Sequence, residues 1–224
     1  MKRAFYAAPK PGREPILLIF LPGLNMRYED FAAQGFVDAA QREVETLDVL
    51  ALEPDLDLYL DGAVADVLVA VIREYRMCAY ARIWFAGISL GAYGALLTAS
   101  ADPGAVEGII LLAPFLGTPG LVAEVERAGG LASWAPGPVA ANDAERRVLA
   151  WLQRYTCEGR NRPILRLAYG HSDRFAAASS LLAACLPADA VCVVDGAHDW
   201  PTWASCWTRI LAGRPFAAPP AIRA

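Results

Sequence analysis

The chain has 224 residues, 56% of them hydrophobic, which is enough apolar material to bury one sizeable core in a single domain. Twenty basic residues against 24 acidic ones give a net charge of -4, and no basic block offers to neutralise phosphates, so nucleic acid is not an expected partner. The segment before Pro9 lacks the apolar stretch of a secretory signal, and the apolar run Ile16 to Leu21 is too short to span a bilayer.

Arg3 to Ala8 reads as an edge strand and Ile16 to Leu21 as a central strand buried on both faces, stopped by Pro22 and Gly23. Helical spacing of Phe31, Phe36 and Val37 predicts a helix over Glu29 to Arg42, followed by a strand at Leu47 to Leu52. After Asp61 and Gly62 comes a long amphipathic helix through Tyr75. Ala81 to Ala86 reads as strand, Leu90 to Ala99 as helix and Val106 to Ala113 as strand. From Phe115 to Pro163 the rhythm breaks: glycines and prolines punctuate short helical pieces, one predicted over Asn142 to Tyr155, and the stretch is too long for a simple connection. It is read as a cap insertion over the sheet, within one domain spanning 1–224. The alternation resumes with Ile164 to Tyr169 (strand), Phe175 to Leu186 (helix), Val191 to Val194 (strand) and Trp203 to Leu211 (helix); the tail from Arg214 carries no clear signal. Strands alternating with helices predict an α/β fold with a mostly parallel sheet covered on both faces, and ligands in such sheets bind beyond the carboxyl ends of the strands. The five cysteines (Cys78, Cys157, Cys185, Cys192 and Cys206) form no CxxC pair and no zinc spacing, which suits reduced, structural thiols in a cytoplasmic protein.

One motif carries chemistry. Gly87-Ile-Ser89-Leu-Gly91 is a G-x-S-x-G placed between a predicted strand and a predicted helix. A strand that reverses into a helix within a few residues forces the serine into a strained backbone conformation and lifts its hydroxyl clear, while glycines on both sides remove side chains that would collide. The helix start also points free N–H groups and its positive dipole end at the serine, which stabilises developing negative charge. The competing reading makes Ser89 an ordinary helix cap.

On this motif, in this context, the chain resembles the α/β-hydrolases from about Ile16 to Leu211, least closely in the insertion. The resemblance implies that fold and an order of nucleophile, acid and histidine along the chain. It implies Ser89 as nucleophile and His198, just past the last apolar strand in Val193-Val-Asp-Gly196-Ala-His198, as base. Asp173, in the loop after Ile164 to Tyr169, is the acid that orients His198, with Asp195 as its rival and Arg174 as the start of a helix that Asp173 would otherwise merely cap. His171, the other of the two histidines, lies too early and reads as a solvated loop residue. The family pattern further implies an oxyanion hole from the backbone N–H groups of Leu24 and Leu90, although this chain has Pro22-Gly23 where many relatives have His-Gly.

Apolar residues near the expected site, Met26, Phe115 and Leu116, with Leu121, Trp134 and Trp151 from the insertion, suggest a substrate pocket for an uncharged or acyl-bearing molecule. The reaction implied is hydrolysis of a small-molecule carboxylic ester or thioester through an acyl-enzyme, without a cofactor or metal. The same fold also hosts acyltransferases, lyases and carbon–carbon bond hydrolases, and a non-enzymatic binding protein that keeps the fold is a further alternative.

Overall fold

Six consecutive apolar residues, Ile16–Leu21, form strand β2, and every one of them is buried, as the absence of any polar alternation requires. The computed structural model describes residues 1–158 and 163–217; the side chain of Cys157 and the tail beyond residue 217 lie outside the described residues. Around β2 stand β1 (Lys2–Tyr6), β3 (Leu47–Glu53), β4 (Arg82–Ile88), β5 (Gly108–Leu112), β6 (Ile164–Gly170) and β7 (Val191–Val194). Among the described residues these make one sheet in the order β1-β3-β2-β4-β5-β6-β7. Only β1 is antiparallel, pairing Lys2 with Glu53 through Tyr6 with Val49; the parallel register runs from Leu21 opposite Gly87 to Leu112 opposite Ala168.

The helices are α1 (Asp30–Ala33), α2 (Phe36–Glu43), α3 (Leu56–Leu60), α4 (Val64–Met77), α5 (Leu90–Ala101), α6 (Pro119–Arg127), α7 (Ala144–Glu158), α8 (Ala176–Ala183) and α9 (Trp200–Ala212). The β2-to-β3 connection runs one way across the sheet, and the β3-to-β4 connection steps back over β2 and onward. Right-handed crossovers therefore put α2 on one face and α4 and α5 on the other. α9 packs against α2, and α7 packs against α5. The chain changes direction at the β2–β4 border, so a crevice opens there at the carboxyl ends of the strands.

The structure refines several expectations. The helix expected over Glu29 to Arg42 is two helices, because Gly35 adopts φ 75°, a left-handed conformation that no helix continues. The last helix starts at Trp200, with Pro201 in its first turn and the Asp199 carboxylate capping the Thr202 N–H. The beginning of the signal-free tail docks: Phe216 is buried edge-on against Trp84, with ring centroids 5.3 Å apart, and its carbonyl accepts from Arg82 at 2.9 Å. Among the described residues no helix is long and apolar enough to cross a membrane.

Candidate active site

β4 ends at Ile88, and Ser89 takes φ 54° and ψ -113° before α5 begins at Leu90. Such a conformation costs a non-glycine residue roughly 1–3 kcal/mol and persists only where the surroundings fix it. Here they do: the Ser89 N–H donates to Leu112 O at 3.0 Å, and Ser89 O accepts from the N–H groups of Tyr93 and Phe115, both at 3.2 Å. A Cβ on Gly91 would run into the carbonyls of Leu21 and Pro22, and one on Gly87 into the backbone of Gly91 and Ala92. The two glycines are thus the condition for α5 to start hard against the ends of β2 and β4.

The loop after β2 lies against this elbow, since a Cβ on Gly23 would sit 3.3 Å from Ser89 Cβ. Residues 23–26 form a turn in which the Met26 N–H donates to Gly23 O at 3.1 Å and Asn25 takes φ 63°. The Gly23 N–H is occupied by Met26 Sδ at 3.2 Å. Among the described residues, neither the Leu24 N–H nor the Leu90 N–H donates a hydrogen bond within the chain. The Leu90 N–H is open because the first residue of a helix has no intrahelical acceptor.

Two strands along, β6 gives way to the turn 170–173, closed by the Asp173 N–H on Gly170 O at 3.0 Å. Asp173 Oδ1 accepts from the Phe175 N–H at 2.8 Å, and Oδ2 lies 2.8 Å from His198 Nδ1. The carboxylate is fully buried, and the imidazole is 10% exposed. An ionised carboxylate only accepts, so Nδ1 carries the proton and Nε2 is the free acceptor. The loops after β6 and β7 are laced by His171 N–H to Val194 O at 2.8 Å and Ser172 N–H to Gly196 O at 2.9 Å. Phe175 and Trp203 each stand edge-on to the imidazole with centroids 5.0 Å away. Asp195 is exposed and makes no bond to His198, and the His171 side chain is exposed as well. Asp199, one residue after His198, is committed to capping α9 through Thr202, a bond that holds its carboxyl below the usual range.

Ser89 Oγ makes no direct hydrogen bond to His198. The two halves are linked through Phe115, whose N–H donates to Ser89 O and whose ring stands 5.7 Å from Phe175, which in turn abuts His198. All four residues follow the carboxyl ends of the adjacent parallel strands β4 to β7.

Of the six residues expected to line a substrate pocket, Met26 and Phe115 lie beside Ser89. Met26 borders a cavity of about 270 Å³ formed by residues 22–26, 53–56, Tyr59 and Leu90. None of the other four borders that cavity. Leu116 borders a void of about 10 Å³ closed by α8 side chains, and Leu121 is buried on α6 with its side chain 3.2 Å from where a Cβ on Gly117 would sit. The Trp134 indole N–H donates to Glu124 at 2.9 Å, and Arg146 lies over its ring. Trp151 is buried on the side of α7 turned to α5, bordering a separate groove with residues of α4 and α5. The physical reason is that α7 fills the crossover position between β5 and β6, so its apolar stripe is spent on the sheet's helical layer. The wall formed by Glu53, Asp55, Leu56 and Tyr59 went unread in the sequence; the available signal was its place immediately after β3, the strand bordering β2.

No protein-family model matches the chain, and no curated protein matches its sequence. Solved structures do. A fluorophosphonate-binding serine hydrolase of Staphylococcus aureus superposes with a TM-score of 0.67 at 15% identity, over 95% of this chain and 91% of that one. A monoacylglycerol lipase of Paleococcus ferrophilus gives 0.58 at 16% identity over 96% and 97%, and an S-formylglutathione hydrolase of Agrobacterium tumefaciens gives 0.60 at 16% over 96% and 88%. With the seven-stranded, mostly parallel sheet and its strained serine elbow, these likenesses show that the chain has the α/β-hydrolase fold.

Proposed function

We propose that the chain is a serine hydrolase of small carboxylic esters or thioesters. The observation that carries this reading is the occurrence of a strained, pinned Ser89 and a buried Asp173–His198 couple at the carboxyl ends of the same parallel strands. In this scheme His198 Nε2 takes the Ser89 proton as Oγ attacks the acyl carbon, and the oxyanion is met by the Leu24 and Leu90 N–H groups. Collapse of the intermediate expels the alcohol or thiol, protonated by His198. Water activated by the same imidazole then releases the acid and restores Ser89. Asp173 keeps the Nδ1 proton in place and stabilises the imidazolium without accepting that proton.

Ester and thioester chemistry both find support in the structural neighbours, which include a lipase acting on monoacylglycerols and hydrolases of S-formylglutathione. The test is turnover of a matched series of p-nitrophenyl and thiophenyl esters with short acyl chains. Wild-type protein should hydrolyse the oxygen esters, and Ser89→Ala should lose turnover by about 10⁴-fold or more while keeping its melting temperature. Full activity in Ser89→Ala would reject the scheme.

A further inference from the structure

Resting on Ser89 as the reacting group, we infer that the cavity beside it is a cation subsite and that the substrate carries an ammonium group there. The space around Ser89 is lopsided. Towards β5 and β6 stand the rings of Tyr93, Phe115 and Phe175, packed edge to face at 5.4 and 5.7 Å. Towards β3 it opens into the cavity of about 270 Å³ whose lining includes Leu24 and Leu90, the two residues with open N–H groups. A substrate whose carbonyl oxygen meets those N–H groups therefore extends one of its ends towards Glu53, Asp55 and Tyr59.

What lines that end is one-sided in charge. Glu53 and Asp55 both border the cavity, and among the described residues no lysine, arginine or histidine does. Glu53 Oε2 accepts from the Tyr28 N–H at 3.1 Å, which holds the carboxylate in place. Glu53, 20% exposed, pairs with Lys2, 61% exposed, and Asp55, 64% exposed, pairs at 3.0 Å with the amino group of Met1, 17% exposed. Each pair keeps one partner in solvent, which weakens it and lets the carboxylate exchange partners. Asp57 and Asp61, on and just beyond α3 with no basic residue between them, add to the negative charge of this segment. Tyr59 contributes the remaining element of a cation site. Its hydroxyl is buried without a partner against α5, at the bare backbone of Gly94, burial pushes its pKa well up, and the residue borders the cavity as a neutral aromatic. The volume admits a trimethylammonium or primary ammonium group on a short linker and lies at the lower end for small-molecule sites.

The proposal is tested by the rate at which two fluorophosphonates of equal size modify the full-length protein, one ending in a trimethylammonium group and one in a tert-butyl group. In both, Ser89 Oγ forms a bond to phosphorus, fluoride leaves and the serine proton passes to His198, so the intrinsic reactivities are normalised by hydrolysis in hydroxide. At low salt the cationic probe should react about tenfold faster, and the gap should narrow as salt is raised. In the Glu53→Gln/Asp55→Asn variant the ratio should fall to near one; Glu53→Gln keeps an oxygen for the Tyr28 N–H. Asp55→Asn alone, at an exposed position, should lower the ratio about threefold and serves if the double variant does not fold. Equal normalised rates in the wild type, or a preference that survives the substitutions, would overturn the subsite while leaving Ser89 as nucleophile. Failure of both probes to modify Ser89 would overturn the serine reading and the subsite with it.

Discussion

Two stretches of the chain, the elbow around Ser89 and the segment 115–158 between β5 and the end of α7, are both rich in glycine or aromatic residues and yield to sequence reasoning very differently. In the elbow the backbone decides. Gly91 is required by the contact of α5 with the carbonyls of Leu21 and Pro22 and Gly87 by its contact with the backbone of Gly91 and Ala92, and both contacts are steric and local. In residues 115–158 side-chain packing decides. Leu121, Trp134 and Trp151 look like pocket walls in isolation, but Leu121 is buried beside Gly117, Trp134 packs under Arg146 and Trp151 is buried on the side of α7 turned to α5. Local steric necessity is readable from a few residues, whereas the partner of an apolar side chain depends on the whole helical layer.

That contrast is open to direct attack. The largest effect is expected at the buried couple: Asp173→Asn should lower kcat by about 10⁴-fold, by favouring the wrong imidazole tautomer, with KM nearly unchanged. A kcat within tenfold of wild type would hand the role to another acid, Asp195 first. Next, Gly91→Ala pushes a methyl group into the backbone of residues 21 and 22, and the loss of stability in urea should reach roughly 4–5 kcal/mol or prevent folding. A soluble, fully stable Gly91→Ala protein would show that the elbow is less tightly constrained than its contacts imply. In the other stretch, Trp151→Ala should cost about 3 kcal/mol of stability through the cavity it leaves, with kcat/KM on short esters within twofold of wild type. A large kinetic effect without destabilisation would return Trp151 to the substrate pocket.

The smallest effect concerns the ion pair beside Trp134. Hydrogen bonds from Arg146 and the Trp134 indole hold the Glu124 carboxyl down at about 2. A depressed acid stabilises the fold fully above its unfolded pKa, and the contribution is lost as pH falls through the folded value. Acid titrations of wild type and Glu124→Gln should therefore differ above about pH 4.5 and converge towards pH 2. Because the carboxylate is solvent-facing, the difference should be modest and should shrink in salt.

Much of the sheet was legible because β2, β4 and β5 are continuous apolar runs, and the alternation with helices fixed their parallel order. Asp173 and His198 were found through the resemblance, each in the first turn after a late strand, and the structure brings them within 2.8 Å. Other features had no such signature. The break at Gly35 hides inside a regular apolar spacing, since one glycine in a helical pattern does not announce a left-handed φ. Phe216 docks on Trp84 across 132 residues of sequence, a pairing that only the fold creates. The wall of Glu53, Asp55 and Tyr59 reads as a polar turn until β3 is seen beside β2, one strand from the β2–β4 border where the chain changes direction.

The central claim is that Ser89 is the group the site activates, and the most direct measurement is mass-spectrometric mapping of the protein after reaction with a neutral fluorophosphonate. One adduct, on the peptide containing Ser89, is expected. It should be absent in Ser89→Ala and formed at least about a hundredfold more slowly in His198→Ala. An adduct on any other residue, or an undiminished rate without His198, would contradict the account.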